Sequence, residues 1–436
     1  MNCGPGAFFT EKNALTVEAW INLVSTTNIQ SIVGNLDSVA RAGFSMGVQN
    51  GQLNCRVFDS TGTSQGFTAG RVSANTWTHI AFSYQRGGRF KGYVNGVMIV
   101  NFPATGNPIA STGTTDLIIG AAAWDHNQQM VTGQIDEVRI YNFQRSTAKI
   151  REDLRLQISG GAPGLIGYWR FDEGSGTTAH DQSLSGRNGI LSGASLPVWL
   201  PAEGPYGTGT ASLASIQNNL HFPNERLDIR PNTPGINDTF VVSRIQCPPN
   251  VHPFGVMNHT YEYWIVDQYD TTAGLDYDLI FKLDSGSIDN SDANNPSNLV
   301  LFRRDRFSTA SWSAYTNAAF ASASDDSVRF TSIRSAGQFI VGTNGSSLLG
   351  MNEPDVNFCI YPQPADNRLS IVSDAFFKMD LFTLFDFFGR KFFVPVLSHG
   401  YGVCTIDVSE VPNGVYLLQL EGEKCVQAIP MMIIHL

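Results

Sequence analysis

The sequence has few charged side chains, no surplus of basic residues and no long apolar run. Asp, Glu, Lys and Arg make up 15% of the 436 residues, and the formal net charge is −10. Because nucleic acids and anionic membranes attract basic proteins, we expect neither as a partner. The most apolar stretch, residues 375–393, is interrupted by charged side chains such as Lys378 and Asp386. We therefore expect no transmembrane helix, which needs roughly 18 uninterrupted apolar residues.

Cysteine motifs and a signal peptide are also missing. The six cysteines are far apart in the chain and none forms a CxxC pair, so a zinc site is not expected. We interpret them as scattered buried thiols, with disulfides as the alternative. The first residues, MNCGPGAFF, lack the basic and apolar regions of a signal peptide. Either the protein is not exported, or the start of the chain has been lost.

What the sequence does have is glycine, with 42 residues, and aromatic side chains, at 11%. Together with the low charge, this balance is typical of all-β secreted modules, and the length predicts about two to four domains. The clearest strand pattern is in residues 76–101, where Asn95 and Gly96 form the pair favoured in a two-residue type I′ hairpin. Short strands with regular turns predict a β-sandwich.

Six segments carry a family resemblance within residues 14–150. In chain order they read LTVEAWINL, GFSMGVQNGQLNCRVF, TWTHIAFSY, GYVNGVMI, LIIGAA and GQIDEVRIYNF. This series resembles the laminin-G-like / concanavalin-A-like lectin family. The resemblance implies a jelly-roll β-sandwich within residues 1–200, with glycan or protein ligands bound by rim loops, often near a calcium ion.

A second fragment, residues 164–191, resembles the part that normally opens a domain of this family. Here it follows the other strands, and it is too short to bury a core alone. Our hypothesis is that this fragment supplies the missing opening strands of the first sandwich, which would then be permuted.

We predict no catalytic residues and no enzyme activity. Related sandwich folds include glucanases, which place acidic residues at alternate positions of one strand, so that the carboxylates share a face. No E-x-D-x-E arrangement is present. Asp136 and Glu137 are adjacent, so on a regular strand they point to opposite faces.

Two groups of residues are candidate binding sites. Oxygen-rich loops suit calcium, and the resemblance suggests a set of ligands whose alternative role is to cap turns: Asp136, Asp172, Asp181 and Asn188. The loop AAWDHNQQ offers a surface tryptophan for glycan or protein binding, with packing as the alternative role. Its candidate residues are Trp124, Asp125, His126 and Asn127.

The middle of the chain, residues 212–348, follows a Pro/Gly-rich linker and again shows short strands at close spacing. This pattern predicts a second, immunoglobulin-like β-sandwich. It also resembles a recurrent module of exported Bacteroidota proteins.

The last segment, residues 356–436, predicts a small C-terminal β-sandwich. It resembles the C-terminal sorting domain of the type IX (Por) secretion system of Bacteroidota. The residues that carry the match are Tyr361, Pro362, Pro364, Ala365, Leu369, Asp386, Gly389, Arg390, Asp407, Pro412, Asn413, Gly414, Val415 and Tyr416.

The tail resemblance implies where the protein goes. It implies recognition by the type IX translocon and its outer-membrane shuttle, and release into the medium or onto the cell surface. Such cargo first crosses the inner membrane behind a cleavable signal, so we expect that Met1 is not the natural start. The expected function is glycan or protein binding. The alternatives are a passive structural module of a longer surface protein, or the accessory C-terminal part of a secreted hydrolase.

Overall fold

The chain is described by a computed structural model. The residues it describes are 1–10, 13–111, 113, 115–193, 196–200, 204–215, 219–232, 238–254, 258–269, 276–343, 358–361, 365–373, 381–386, 390–400, 403–421 and 426–435. These residues form paired β-sheets around three main apolar cores, which confirms the all-β prediction. In this part of the chain, neither α-helix has the length and apolarity that crossing a bilayer requires.

The first sandwich is confirmed as two antiparallel sheets. Its strands are β1 (Asn2–Pro5), β2 (Ala14–Leu23), β3 (Gln30–Gly34), β4 (Phe44–Gln49), β5 (Gln52–Phe58), β6 (Ser64–Arg71), β7 (Thr78–Gln85), β8 (Arg89–Val94), β9 (Val97–Pro103), β10 (Asp116–Ile119), β11 (Gly133–Tyr141), β12 (Leu165–Trp169), β13 (Thr178–Ala179) and β14 (Gly189–Ile190). A 3-10 turn (Gly6–Phe9) follows β1, and helix α1 (Thr147–Asp153) follows β11. The sheet orders are β13-β14-β1-β10-β3-β4-β5-β6 and β12-β11-β2-β7-β8-β9.

The predicted hairpin between β8 and β9 is confirmed. Val94 pairs with Val97, which leaves Asn95 and Gly96 as the two turn residues. Their φ angles are +52° and +73°, and a type I′ turn requires positive φ at both positions. The Asn-Gly pair therefore fixes the register of this hairpin.

Residues 164–191 contribute strands to both sheets of the first sandwich. Strand β12 pairs with β11 at one edge, where Trp169 lies opposite Val138. Strands β13 and β14 pair with each other, and β14 also pairs with β1. Trp169 is fully buried, and its ring lies 6.3 Å from that of Phe9. The fragment thus shares the apolar core of the segments that precede it in the chain.

The second sandwich also has two sheets. Its strands are β15 (Gly209–Ser215), β16 (Leu220–Phe222), β17 (Leu227–Pro231), β18 (Thr239–Ile245), β19 (Asn258–His259), β20 (Tyr263–Tyr269), β21 (Tyr277–Lys282), β22 (Leu299–Arg304), β23 (Ser313–Asn317), β24 (Phe320–Ser322), β25 (Ser327–Ile333) and β26 (Gly337–Thr343). Helix α2 (Asn290–Asn294) and a 3-10 turn (Pro296–Asn298) precede β22. One sheet has the order β15-β18-β20-β26-β22-β23, with β19 paired to β26, and the other β16-β17-β21-β25-β24.

The small C-terminal sandwich is confirmed. Its strands are β27 (Phe358–Tyr361), β28 (Arg368–Ser373), β29 (Leu381–Phe385), β30 (Lys391–Phe393), β31 (Val396–Gly400), β32 (Val403–Asp407), β33 (Gly414–Glu421) and β34 (Val426–Ile433). They form two four-stranded sheets, β27-β28-β32-β31 and β30-β29-β33-β34.

The first and second sandwiches pack against each other through buried aromatic side chains. The contact comprises one group that we call the interdomain cluster: Trp20, Trp77, Leu154, Tyr206 and Phe307. The ring of Trp20 lies 5.1 Å from that of Tyr206 and 6.1 Å from that of Phe307. Because Phe307 belongs to the second sandwich, the cluster buries apolar surface from both units.

Candidate ligand-binding site

The loop between β10 and β11 carries the predicted surface tryptophan. Backbone hydrogen bonds fix the loop at both ends: the amide of Val131 donates to the carbonyl of Gly120 at 2.9 Å, and that of Ser31 donates to Gln129 at 2.8 Å. At its tip, the Asp125 carboxylate accepts a hydrogen bond from the amide of Asn127 at 3.0 Å. The loop therefore has a defined backbone, as a pre-organised binding loop requires.

Trp124 lies at the surface of this loop. Its side chain is 43% exposed, and the next residues of the chain include exposed His126 and Asn127. The structure brings the four predicted ligand-binding residues together, but it gives Asp125 a structural role, since its carboxylate holds the turn. The remaining three offer an indole face for stacking and polar groups for hydrogen bonds.

A neighbouring loop extends the exposed surface. Ser31 and Val24 hydrogen-bond to the segment 129–132, which places the loop between β2 and β3 beside the tryptophan loop. Four apolar side chains of these two loops are exposed: Val24, Ile29, Trp124 and Met130.

The four predicted calcium ligands divide into two pairs. Asp181 accepts hydrogen bonds from the backbone amides of Tyr168, Ser183 and Arg187 at 2.8 to 2.9 Å. Its own amide donates to the side-chain oxygen of Asn188 at 3.0 Å. These two residues therefore organise the turn before β14, which is the alternative role that the sequence offers for them.

The other pair lies near β11. Asp136 accepts hydrogen bonds from the hydroxyl of Tyr206 and the amide of Glu137, both at 2.7 Å, and Asp172 accepts one from Gln157 at 3.3 Å. Within the described ranges, no group of three or more His, Cys, Asp and Glu side chains is placed to hold a metal ion. The residues present therefore do not fit a calcium site made of these four ligands, and calcium binding stays a prediction.

A β-bulge in β11 bears on one expectation from the sequence. The register shifts between Asp136 and Arg139, and Glu137 has a φ of +51°. Both carboxylates are buried, and burial, followed by the nearby charge of Glu137, raises the pKa of Asp136. The strand is therefore not regular at this pair, so the argument from regular alternation of side chains does not apply to it.

Asp172 joins the same group, which we call the carboxylate cluster: Asp136, Glu137 and Asp172. The Asp172 side chain keeps contact with solvent, but close packing around its carboxylate and the charge of Glu137 raise its pKa to about 7. Glu137 is compensated by Arg139 and by the hydroxyl of Tyr168, which donates at 2.6 Å.

The predicted tail residues lie on turns of the small sandwich. Asp386 and Arg390 form one turn, in which the backbone amide and the Nε of Arg390 donate to the Asp386 carboxylate at 2.9 and 2.6 Å. Asp407 accepts a hydrogen bond from the amide of Ser409 at 3.0 Å. The sequence positions Asp386 and Arg390 four residues apart, and the structure brings their side chains into contact.

A second turn of the tail leads into β33. The Tyr416 hydroxyl donates to the carbonyl of Pro412 at 2.7 Å, and Asn413 accepts from the amide of His435 at 2.7 Å. Gly414 is the first residue of β33. At the start of the tail, Tyr361 ends β27. The other predicted residues Pro362, Pro364 and Gly389 lie outside the described residues.

Two family models match the chain. Residues 4–151 match the concanavalin A-like lectin/glucanases superfamily, and residues 359–435 match the secretion system C-terminal sorting domain. No curated protein sequence matches the chain significantly.

Solved structures show partial similarity. One is a protein from Bacteroides ovatus ATCC 8483 that is named as carbohydrate-binding, with 19% identity over 43% of this chain and 54% of that chain and a TM-score of 0.34. The chain thus spans about half the length of that protein. A second is the heptameric SAP-like pentraxin of Limulus polyphemus, with 18% identity over 33% of this chain and 71% of that chain and a TM-score of 0.27.

A third similar structure is domain 4 of the extracellular GH43 arabinanase AbnA from Geobacillus stearothermophilus, in complex with arabinotriose. It shares 20% identity over 35% of this chain and 73% of that chain, with a TM-score of 0.27. From the matched ranges, residues 4–151 form a concanavalin A-like lectin domain and residues 359–435 form a type IX sorting domain, so the protein is secreted or attached to the cell surface through the type IX secretion system.

Proposed function

We propose that the first sandwich binds glycans outside the cell, and that the protein acts by binding and not by catalysis. The observation that carries the proposal is Trp124, an indole 43% exposed on a loop with a defined backbone. A half-exposed tryptophan presents one face to the solvent, where the apolar face of a sugar ring stacks on it.

The surroundings of Trp124 support this role. Exposed His126 and Asn127 supply polar groups next to the indole, and sugar hydroxyls both donate and accept hydrogen bonds. Since the turn is already held by Asp125, little loop entropy is lost on binding. A single stacking contact contributes on the order of 1 kcal/mol, whereas a millimolar dissociation constant corresponds to about 4 kcal/mol, so the neighbouring polar groups must supply most of the binding free energy.

The buried acidic residues of β11 bond to partners within the protein, which supports a role in binding and not in catalysis. Asp136 is buried and bonded to Tyr206, and Glu137 is compensated by Arg139 and Tyr168. Three of the four oxygens of these two carboxylates bond to internal partners, and they serve the structure of the bulge, whereas Oε1 of Glu137 is buried without a partner. The sorting tail adds that the domain is delivered to a place where extracellular glycans are available.

A glycan array probed with the full chain tests the proposal. We expect one class of glycan to bind, and Trp124→Ala to weaken that binding by about tenfold while leaving the melting temperature unchanged. The matched control is Phe254→Ala, which removes another exposed aromatic side chain from the second sandwich. Absence of glycan binding by the unaltered protein, as a passive structural module predicts, would contradict the proposal.

A further inference from the structure

We propose that the cleft between the first and second sandwiches is a separate binding site for a saccharide that carries a carboxylate. The cleft has a volume of about 540 Å³, within the roughly 300–1,000 Å³ typical of small-molecule sites. Loops of both sandwiches line it, with mostly polar and aromatic side chains. The lining residues on which the proposal rests are Asn75, Trp77, Arg303, Asp305, Arg306 and Phe307.

The frame of this cleft is rigid. Arg155, which lies between α1 and β12 of the first sandwich, donates from Nε and Nη2 to both carboxylate oxygens of Asp267 at 2.9 and 3.0 Å. Both side chains are buried, and the Arg155 guanidinium also lies 4.3 Å from the ring centroid of Phe307. Because Phe307 is at once part of the interdomain cluster and of the cleft wall, the walls hold a fixed separation before any ligand arrives.

The wall from the first sandwich contains a buried donor without an acceptor. Trp77 lines the cleft and is only 3% exposed, and its indole N–H has no hydrogen-bond partner. Asn75 fixes the turn that holds this tryptophan, since its amide donates to the carbonyl of Leu23 at 2.7 Å. A buried donor left unpaired destabilises the fold, and a ligand oxygen placed beside it would supply the missing acceptor.

The wall from the second sandwich supplies cationic donors. Arg303 uses Nη2 to bond Asp305 at 2.9 Å and the carbonyl of Ala336 at 2.8 Å, whereas its buried Nε has no partner. Arg306 donates from Nη1 to the carbonyl of Gln268 at 3.2 Å, and the same nitrogen lies 3.7 Å from the Asp267 carboxylate. A guanidinium has five N–H donors in a planar fork, so Arg306 keeps donors for an incoming group.

These features define the chemistry of the ligand. Both walls offer hydrogen-bond donors that need acceptors, and the fork of an arginine matches the two oxygens of a carboxylate. Arg303 is paired with Asp305, and Arg306 and Arg155 share Asp267, so these three arginines and two aspartates leave one positive charge in excess within a chain whose net charge is −10. The aromatic ring of Phe307 and the indole of Trp77 suit the apolar face of a sugar. A uronic-acid oligosaccharide carries all of the groups that this cleft would bind.

Titration of the full chain with trigalacturonic acid, and with a neutral trisaccharide of equal length, tests the assignment by calorimetry. We expect the acidic sugar alone to bind at micromolar to millimolar concentrations. Arg306→Gln should weaken binding by about tenfold or more, because it removes the charge and most donors. Trp77→Phe keeps an aromatic ring but removes the N–H together with part of the indole, so a smaller loss of affinity is expected than for Arg306→Gln.

The controls separate this site from the one at Trp124. Trp124→Ala should bind trigalacturonic acid as the unaltered protein does, whatever the glycan array shows, because the two sites share no residue. Melting temperatures of Arg306→Gln and Trp77→Phe show whether each variant is folded. The proposal fails if the unaltered protein binds no acidic sugar, if it binds the neutral sugar equally well, or if folded Arg306→Gln retains full affinity.

Discussion

Arg155 and Asp267 join the first two sandwiches through a buried ion pair with two parallel hydrogen bonds. The pair links residues that are 112 positions apart, and neither side chain is appreciably exposed. The third anchor is the carbonyl of Pro205, which accepts from Nη1 of Arg155 at 3.1 Å. Taking two charges out of water is costly, so the pair is stabilising only while both partners and their hydrogen bonds are present.

Removing one partner of this pair should strongly destabilise the contact between the sandwiches. We expect Arg155→Met to lower the free energy of unfolding by about 3–5 kcal/mol, because it leaves the buried Asp267 carboxylate without its two parallel hydrogen bonds and with only Nη1 of Arg306, 3.7 Å away, as a charged partner. The double variant Arg155→Met/Asp267→Leu should recover most of that loss. Urea denaturation followed by circular dichroism measures both changes.

The control for this experiment is the exposed ion pair between Arg226 and Asp284. Its disruption by Arg226→Gln should change the free energy of unfolding by less than about 1 kcal/mol, since exposed pairs are screened by water. If the two arginine substitutions lower the free energy of unfolding by the same amount, burial does not make the Arg155–Asp267 pair more important for stability than an exposed pair.

Local patterns predicted much of the fold. The Asn95-Gly96 turn could be read from two residues, because positive φ at both positions is a property of those residue types. The contact between Arg155 and Asp267 could not, because nothing in the sequence near either residue encodes a partner 112 positions away. The bulge at Glu137 could not be predicted either, because an argument from side-chain alternation assumes a regular strand, and the bulge interrupts that strand.

Of the two candidate sites, one has a local signal in the sequence and the other has none. Trp124 is predicted to lie at the surface because its polar neighbours indicate a loop, whereas no local pattern marks Trp77 as part of a binding site. The structure buries Trp77, but at the wall of a cleft formed with residues 303–309 of another sandwich. A site built between two units depends on how they pack, and a single sequence carries no local signal of that packing.

The stability of the protein should depend on the protonation of Asp172. Its pKa in the fold is about 7, above the ordinary value of 3.8, so the folded state retains a proton that the unfolded state has lost. The stabilisation from Asp172 is therefore complete below about pH 4 and is lost as pH rises to about 7. Asp172→Asn should become more stable relative to the unaltered protein over this interval, as measured by urea denaturation at successive pH values.

Asp325 provides a control, because its pKa is shifted in the opposite direction to that of Asp172. Its hydrogen bond with Lys282 and one with Ser322 lower its pKa to about 2, so it contributes stability above about pH 4 that is lost as pH falls toward 2. Asp325→Asn should therefore weaken the fold near neutral pH and have no effect at the acidic end. If the pH profile of Asp172→Asn parallels that of the unaltered protein, the raised pKa of Asp172 is wrong.

Asp181 should stabilise the first sandwich without calcium. Its carboxylate already accepts three backbone amide hydrogen bonds, which satisfy the turn before β14. We expect Asp181→Ala to cost about 1–3 kcal/mol of unfolding free energy, because these buried donors lose their acceptor. The loss should be the same in calcium and in EDTA. A loss that appears only in calcium would assign Asp181 to a metal site instead.

We expect the export machinery to recognise the turn formed by Asp386 and Arg390 directly. The arginine of this ion pair is exposed. The double substitution Asp386→Asn/Arg390→Gln should therefore lower the free energy of unfolding by less than about 1 kcal/mol and leave the small sandwich folded. We nevertheless expect export to fall, measured as the fraction of protein in the medium and on the surface of a type IX-competent host, behind a standard inner-membrane export signal.

The matched variant for this experiment is Arg226→Gln/Asp284→Asn, which removes an exposed ion pair of the second sandwich and should export normally. Deletion of residues 356–436 gives the baseline for complete loss of the signal. Because the turn variant remains folded, retention inside the cell would be due to a recognition defect and not to unfolding. Normal export of the folded turn variant would instead show that the machinery recognises other parts of the tail, such as the turn at Asn413 and Tyr416.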